Sequence, residues 1–361
     1  MNNSLYSILV FLAGWAVGKV LDYYLSDLQK KYTNWKLRKH QKSISIKYDS
    51  QDNGLILLHS WSYSHRLLPS NTKIIAAERP NTTYIEDQEC FQSIVNRYKS
   101  QNIRGEVCHL VNYNVDHMDN EYGKTFDFYV APCDYSEASS ISEYLSLYPK
   151  VKEDIISTIH VSPKKYLAQA MPSDVFINVM VLCNGKILAL RRSRSVSSAQ
   201  GLWCIGAYET MEMPSSNVAC NDTNFHILAE RCIREEIGLL PSEICKTTGK
   251  IRNFYSLDSI FISSIYLSLF HMGTLVSAIV ILDNITEDEV SERILSIAHS
   301  KYEHDAIEWI KLDKKEIKTF LESDKGYYAD FINQRNAKWI AYAKSSLFEI
   351  YRSSDFNKYS N

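Results

Sequence analysis

Residues 229–239 read Ala-Glu-Arg-Cys-Ile-Arg-Glu-Glu-Ile-Gly-Leu, and this short run is the most informative part of the sequence. It predicts a helix that ends at Gly238, because glycine readily takes the left-handed conformation found just past a helix C-terminus. Positions three and four residues apart lie on one face of an α-helix. We therefore expect Glu235 and Glu236 to lie side by side, one turn after Cys232.

The charges of this run require compensation. Glu235 and Glu236 fall in the last turn of the predicted helix, where the negative end of the helix dipole disfavours carboxylates. A nearby cation is needed to offset that effect. The sequence offers three candidates: Arg231, Arg234 and a bound metal ion.

The same run resembles the Nudix box, whose pattern is G-x5-E-x7-R-E-U-x-E-E-x-G-U, with U an aliphatic residue. The residues at matching places are Arg231, Ile233, Glu235, Glu236, Gly238 and Leu239. Upstream, Gly206 and Glu212 supply the G-x5-E part within GLWCIGAYETME, which is similar to the glycine-rich loop of the family. The resemblance extends over residues 171–321, which is under half of the chain.

Two departures from the pattern weaken the box. Eighteen residues, 213–230, separate its two halves where the family has seven. Cys232 replaces the first glutamate of the R-E-U-x-E-E core, which in the family is a magnesium ligand. Magnesium requires oxygen ligands, and a thiol is a poor substitute for one. Glu230 cannot stand in for the missing carboxylate, because it lies on a different face of the helix.

The resemblance assigns roles to further residues. It implies Mg2+ as the cofactor, with metal ligands at Glu235, Glu236, Glu303 and Glu308. In an active enzyme, Glu235 and Glu236 would be the catalytic residues. The residues it implies for nucleotide binding are Arg191, Arg192, Gly206 and Arg231. A basic, solvated strand end explains Arg191 and Arg192 equally well.

The predicted fold class is α+β. The resemblance implies a Nudix-type α/β/α sandwich over residues 171–325, on the C-terminal side of the chain. Before it, strand-like and helix-like segments predict an α+β module over residues 43–170, whose role no motif indicates. The other predicted segments are a transmembrane anchor at 1–28, a basic juxtamembrane linker at 29–42 and a helical tail at 326–361.

The first residues predict a membrane anchor. Leu5–Gly18 carries no charge and the apolar pattern continues beyond it, so residues 5–25 are long enough to cross a bilayer, although a buried helix or a signal-peptide core would also be uncharged. Six basic residues follow between positions 30 and 42, which predicts a single pass through the inner membrane with the N-terminus outside and the bulk cytoplasmic. Gly14 and Gly18 form G-x-x-x-G, which favours close packing of membrane helices in a homo-oligomer.

Composition argues against some classes of function. The formal net charge of −2 lacks the basic footprint of a protein that binds nucleic-acid polymers. The eight cysteines are scattered without a C-x-x-C pair, which argues against a zinc cage or a small disulfide scaffold. Free thiols in a reducing compartment are the simplest interpretation.

An anchor joined to a degenerate Nudix region resembles the TM-Nudix effectors of bacterial CBASS anti-phage systems. This resemblance implies that the soluble part binds a cyclic oligonucleotide made during infection, and that the membrane segments of a homo-oligomer then disrupt the inner membrane. Two other functions stay open. One is a tethered Mg2+-dependent hydrolase of a nucleoside diphosphate derivative, and the other is a scaffold that neither binds nor cuts nucleotides.

Overall fold

The buried strand Val175–Cys183 (β5) lies inside the main sheet, and its nine residues are all buried. The computed structural model describes residues 55–61, 66–101, 103, 105–116, 125–195, 200–213, 222–245, 248–269, 272–297, 303–315, 317, 318 and 339–352. The predicted anchor and basic linker lie outside these ranges. Within them, no helix has both the length and the apolar character needed to cross a membrane. Every cysteine in the described part of the chain is free.

The hairpin that follows β5 has a two-residue turn. Asn184 and Gly185 both have positive φ, at 47° and 71°, as a turn matching the twist of the flanking strands requires. The returning strand β6 (Lys186–Arg192) pairs with β5 only next to this turn, at Leu182 and Cys183. Beyond that point the two strands diverge and two short strands enter the sheet.

The main sheet has eight strands of mixed direction. Along its edge-to-edge path the order is β1 (Leu55–Ser60), β11 (Phe261–Ser268), β12 (Thr274–Leu282), β5, β6 and β13 (His304–Lys311). The β12–β5 pairing is parallel, while β1–β11, β11–β12 and β6–β13 are antiparallel. The two entering strands are β7 (Trp203–Ile205), which pairs with β6, and β8 (Ala207–Thr210), which pairs with β5. Both lie in the stretch that sequence similarity assigned to a loop.

A smaller sheet of three strands belongs to the region predicted at 43–170. Its order is β2 (Thr72–Ala76), β4 (Thr125–Asp134) and β3 (Glu106–Asp116). The helices of this region are α1 (Gln88–Ser100), α2 (Tyr135–Leu147), α3 (Pro149–Val161) and α4 (Pro163–Leu167). Proline begins α3 because its fixed φ suits the first helical turn, where an amide hydrogen would lack an acceptor. Residues 137–159 thus belong to two helices that meet at Pro149.

The two regions share one hydrophobic core. Strand β1 precedes the small sheet in sequence but lies in the main one. The Ile74 amide of β2 donates to the Thr223 carbonyl at 3.2 Å, and the ring of Phe128 in β4 meets that of Phe225 edge to face at 4.8 Å. The described chain is thus a mixed α+β structure, as predicted. The boundary predicted between 170 and 171 does not divide its core.

The remaining elements include the helix that carries the first part of the box. They are α5 (Phe225–Cys232), β9 (Ser242–Ile244), β10 (Ile251–Asn253), α6 (Glu287–Ser296) and α7 (Ala341–Arg352). Helix α5 packs on β5 and β8. In α7, the Ser346 hydroxyl donates to Asn178 of β5 at 2.6 Å, which ties the predicted helical tail to the main sheet.

Candidate active site

The box segment ends at the residue that its sequence predicts. Asn224 caps the N-terminus of α5, and its side chain accepts from the amides of His226 and Ile227, each at 3.0 Å. At the C-terminus Gly238 has φ 71° and ψ 32°, the left-handed conformation expected of it. The helix between them is irregular: α5 gives way to a π-helical turn, Ile233–Ile237.

The π turn separates the two adjacent glutamates, which corrects the predicted arrangement on one face. Glu236 is buried, at 3% exposure, whereas the side chain of Glu235 is 41% exposed. A π turn holds one more residue than an α turn, so the faces expected from α-helical spacing no longer apply. Glu235 pairs with Arg234 at 3.1 Å and with Arg231 at 3.5 Å. Arginines therefore provide the compensating charge predicted for this carboxylate.

Cys232 is completely buried at the position of the missing glutamate. Burial raises the pKa of its thiol well above the usual value, and the negative charges of Glu209 and Glu236 act in the same direction. The thiol is consequently neutral at physiological pH. A thiol also lacks the carboxylate oxygens that magnesium prefers.

Arg231 lies at the centre of a buried charge cluster instead of facing solvent. Its side chain is 4% exposed. The carboxylates around its guanidinium are Asp222 at 2.8 Å, Glu209 at 3.2 Å, Glu235 at 3.5 Å and Glu212 at 3.6 Å. A further N–H donates to the Thr210 carbonyl at 2.6 Å. These contacts give Arg231 a structural role, and its binding to a nucleotide stays a prediction.

Glu209, on β8, is a site residue that sequence reasoning missed. Burial raises its pKa to about 7; Arg231 acts against that shift, while Glu236 and Glu235 add to it. The effect of burial on the Glu209 pKa outweighs that of Arg231, although the two side chains are only 3.2 Å apart. Arg231 is shared among several carboxylates, so its effect on each of them is weaker. A carboxyl group that titrates near neutral pH can exchange a proton during a reaction. Its position inside the G-x5-E segment was the sequence feature that could have drawn attention to it.

A second cluster forms where the π turn meets the start of β13. Glu236, Glu303 and His304 each place one ligand atom within 4.8 Å of the other two. Among the described residues, this is the one group of three or more such side chains that could hold a metal ion. Two members, Glu236 and Glu303, were predicted as ligands. His304 was not predicted, because a lone histidine matches no ligand spacing. Neither Glu235 nor Glu308 belongs to the cluster.

The remaining predicted nucleotide-binding residues lie around the end of β6. Arg191 Nε contacts Asp305 at 2.5 Å, and its guanidinium lies over the ring of Trp203 at 5.6 Å. Arg192 lies 3.7 Å from Glu303. Gly206 has φ 72°, and a Cβ there would meet the Val179 carbonyl oxygen at 2.0 Å. Close packing against β5 therefore requires a glycine at position 206.

The magnesium implied by the family resemblance fits these residues poorly. Magnesium binds through oxygen atoms and keeps several waters in a near-octahedral arrangement. Here a neutral, buried thiol occupies one position of the family's ligand set, and an imidazole completes the group around Glu236. The two oxygen donors and one nitrogen donor of this group match the preferences of a borderline transition-metal ion better.

No family model matches the chain, and no curated protein matches it significantly. The solved structures found by structural comparison include Nudix and MutT proteins at low identity. A MutT Nudix hydrolase from Burkholderia pseudomallei is 10% identical over 49% of this chain and 96% of that one, with a TM-score of 0.26. A mutT/nudix family protein from Listeria innocua is 13% identical over 52% of this chain and 97% of that one, with a TM-score of 0.26.

A bifunctional NMN adenylyltransferase/ADP-ribose pyrophosphatase from Francisella tularensis was solved with AMP and a manganese ion. It is 14% identical over 48% of this chain and 44% of that one, with a TM-score of 0.22. With identities below 25% and TM-scores below 0.5, these neighbours carry no inference about what this chain binds or does. The functional interpretation depends on the residues described above.

Proposed function

We propose that this chain is a nucleotide sensor that binds without hydrolysing, and that it serves as a membrane-anchored effector of a CBASS-type antiviral system. Its Nudix-like region would bind a cyclic oligonucleotide. The observation that carries the proposal is Cys232, a neutral and fully buried thiol where the family has a metal-binding carboxylate. Losing one interaction that stabilises the transition state often costs about 10²–10³ in rate. Binding can survive such a loss, whereas turnover becomes slow.

The arginines at the end of β6 support recognition of an anionic ligand. Arg191 and Arg192 have side chains that are 31% and 17% exposed. Arg191 also lies over Trp203, so a phosphate could bind at a guanidinium already held by an aromatic ring. A ligand phosphate would compete with Asp305 for Arg191 and with Glu303 for Arg192. Ligand binding would therefore change contacts at the start of β13.

The membrane part of the proposal depends on the sequence of residues 5–25. A ligand that joins two soluble regions raises the local concentration of the attached membrane helices. Gly14 and Gly18 would allow those helices to pack closely. The ligand can drive assembly only as far as it prefers the oligomer to the monomer. Inner-membrane disruption would follow from that assembly, with the bulk of the chain in the cytoplasm.

Full-length protein in liposomes tests this proposal. We expect a cyclic dinucleotide or trinucleotide to increase the particle mass, to release an encapsulated dye and to remain uncleaved. A linear dinucleotide serves as the ligand control. Arg191→Ala should weaken binding by roughly tenfold or more, as loss of a charge-assisted hydrogen bond does. The control is Arg252→Ala, since the Arg252 side chain is 35% exposed, similar to that of Arg191, and pairs with Glu289 at 3.0 Å.

The membrane helices are tested separately. Gly14→Ile with Gly18→Ile should abolish dye release without changing nucleotide affinity. Full release by this double variant would refute the packing model. Unchanged mass with every cyclic nucleotide tried would refute the sensor model.

A metal-dependent Nudix hydrolase is the second candidate. Two observations favour it: Glu209 titrates near neutral pH, and Glu236, Glu303 and His304 form a group that could hold an ion. In that case the protein should release phosphate or a nucleoside monophosphate from a nucleoside diphosphate derivative with Mg2+ or Mn2+. Glu236→Gln should abolish release, and Glu308→Gln should leave it intact. Robust turnover of this kind would replace the sensor proposal.

A further inference from the structure

The short hairpin formed by β9 and β10 has its apolar and charged faces reversed. Ile244 of β9 pairs in register with Ile251 of β10, so the two side chains lie side by side on one face. They are 69% and 66% exposed. An antiparallel sheet with one solvated face normally turns its apolar residues inward and its polar residues outward. Here the apolar pair is on the solvent side.

Ion pairs hold the opposite face of the hairpin, where Glu243 pairs in register with Arg252. Glu289 of α6 lies 3.0 Å from Arg252. Arg293 of α6 lies 2.6 Å from Glu243. Both guanidinium groups also lie over the ring of Phe254, at 5.2 and 5.3 Å. Because the charged face is held in this way, the hairpin cannot turn its isoleucines inward without breaking both ion pairs.

The segment between the two isoleucines is positively charged. Residues 244–251 read Ile-Cys-Lys-Thr-Thr-Gly-Lys-Ile, with two lysines and no carboxylate. Lys250 is exposed and directly precedes Ile251. Exposed apolar side chains beside basic ones are typical of surfaces that bind anionic membranes, because the apolar groups enter the acyl boundary while the cations meet the headgroups. The chemistry of this face therefore matches an anionic lipid surface.

A second copy of the chain fits this face less well. Two isoleucines from each copy would bury far less than the roughly 1,000 Å² of a stable protein interface. A symmetric contact would also bring together the Lys250 side chains of both copies, and like charges repel. A lipid surface carries the opposite charge and requires no complementary shape.

We propose that the hairpin inserts Ile244 and Ile251 into the surface of an anionic membrane, with Lys250 among the lipid headgroups. Such a contact orients the soluble region on the bilayer. The proposal goes beyond nucleotide sensing and does not rest on it, because the hairpin presents its isoleucines whether or not a nucleotide binds.

Lipids with brominated acyl chains test this contact in the full-length protein, because bromine quenches the emission of a tryptophan that enters the bilayer. Ile251→Trp places the probe and keeps a large apolar side chain at the surface. We expect this variant to lose more emission than the parent protein in vesicles of phosphatidylcholine mixed with phosphatidylglycerol, but not in phosphatidylcholine alone. In the same background, Ile244→Thr should lower the ratio of inserted to free hairpin by about tenfold. Lys250→Ala should lower it by about fivefold.

Leu147→Trp is the matched control, because Leu147 at the end of α2 is 57% exposed but lies outside the hairpin. It should be quenched no more than the parent protein. Thermal melting verifies that each variant folds, and Ile244→Trp supplies a second probe if Ile251→Trp does not.

Three results would overturn the proposal. The first is equal quenching of Ile251→Trp and Leu147→Trp, and the second is quenching that does not depend on phosphatidylglycerol. The third is an emission change that appears without lipid and grows with protein concentration, which would place a second copy on this face. None of these results depends on whether the chain senses or hydrolyses nucleotides.

Discussion

Replacing Arg231 with methionine should destabilise the fold far more than the same change at Arg234. Arg231 is 4% exposed and faces Asp222, whose side chain is 1% exposed, with two contacts of 2.8 and 3.2 Å. Removing the guanidinium leaves that carboxylate buried without its cation. Breaking a buried pair from one side costs about 3–5 kcal/mol. We expect the measured loss in unfolding free energy to fall in this range. Repulsion among the remaining carboxylates of the cluster adds to that loss.

Arg234 provides a control of identical chemistry one turn later. Its side chain is 45% exposed and pairs with the exposed Glu235 at 3.1 Å. Exposed pairs of this kind contribute about 0–1 kcal/mol. For a folded region of this size, the loss of 3–5 kcal/mol expected for Arg231→Met corresponds to a fall of roughly 6–20 °C in Tm. By the same conversion, Arg234→Met should lower Tm by no more than a few degrees.

Thermal and urea unfolding of the two variants, followed by tryptophan fluorescence, measure this difference. Arg231→Met combined with Asp222→Asn should recover part of the stability, because an amide is less costly to bury unpaired than a carboxylate. The reasoning is refuted if Arg231→Met and Arg234→Met unfold at the same urea concentration. It is also refuted if the added Asp222→Asn change destabilises the protein further.

Three other changes should have measurable effects. Gly206→Ala should cost several kcal/mol in unfolding free energy, because its Cβ would overlap the Val179 carbonyl. Gly201→Ala should cost less, because Gly201 has a similar positive φ of 68° but no described atom lies within 4 Å of its Cβ position. Burial raises the Glu209 pKa from 4.5 to about 7. Its contribution to the free energy of unfolding is therefore fully present below pH 4.5 and is lost as the pH rises to 7 and above. In urea unfolding, Glu209→Gln should gain stability relative to the parent protein between pH 4.5 and 7. Cys232→Glu should lower Tm by several degrees in a melting assay and should not create turnover, because it places a carboxylate in a fully buried position.

Much of this fold could be predicted from local sequence patterns, because its strands, turns and helix ends are determined by a few neighbouring residues. Val175–Cys183 is apolar at every position except Asn178 and is buried along its whole length. The Asn184-Gly185 turn has the two positive φ angles that its composition predicts. Gly238 ends the box segment in the left-handed conformation for the same reason. In each case the physical cause lies within a few residues of its effect.

The site was harder to predict because its geometry depends on contacts between distant segments. The same residues can form an α turn or a π turn, and the local pattern could not show that Glu235 and Glu236 would separate. His304 joins Glu236 across 68 positions of sequence, and no ligand spacing indicates that meeting. Glu209 acquires its raised pKa from burial and from its neighbours, which a strand pattern does not contain. Arg231 matched the box, but its enclosure by carboxylates required the fold.

The charge cluster also gives a physical reason for the cysteine at position 232. Arg231 already faces Asp222, Glu209, Glu212 and Glu235. The raised pKa of the Cys232 thiol is due first to burial and then to the negative charges of Glu209 and Glu236, so the environment opposes any further anion. A glutamate there would need a compensating ion, as the family's metal provides. A neutral thiol at this buried position removes that requirement.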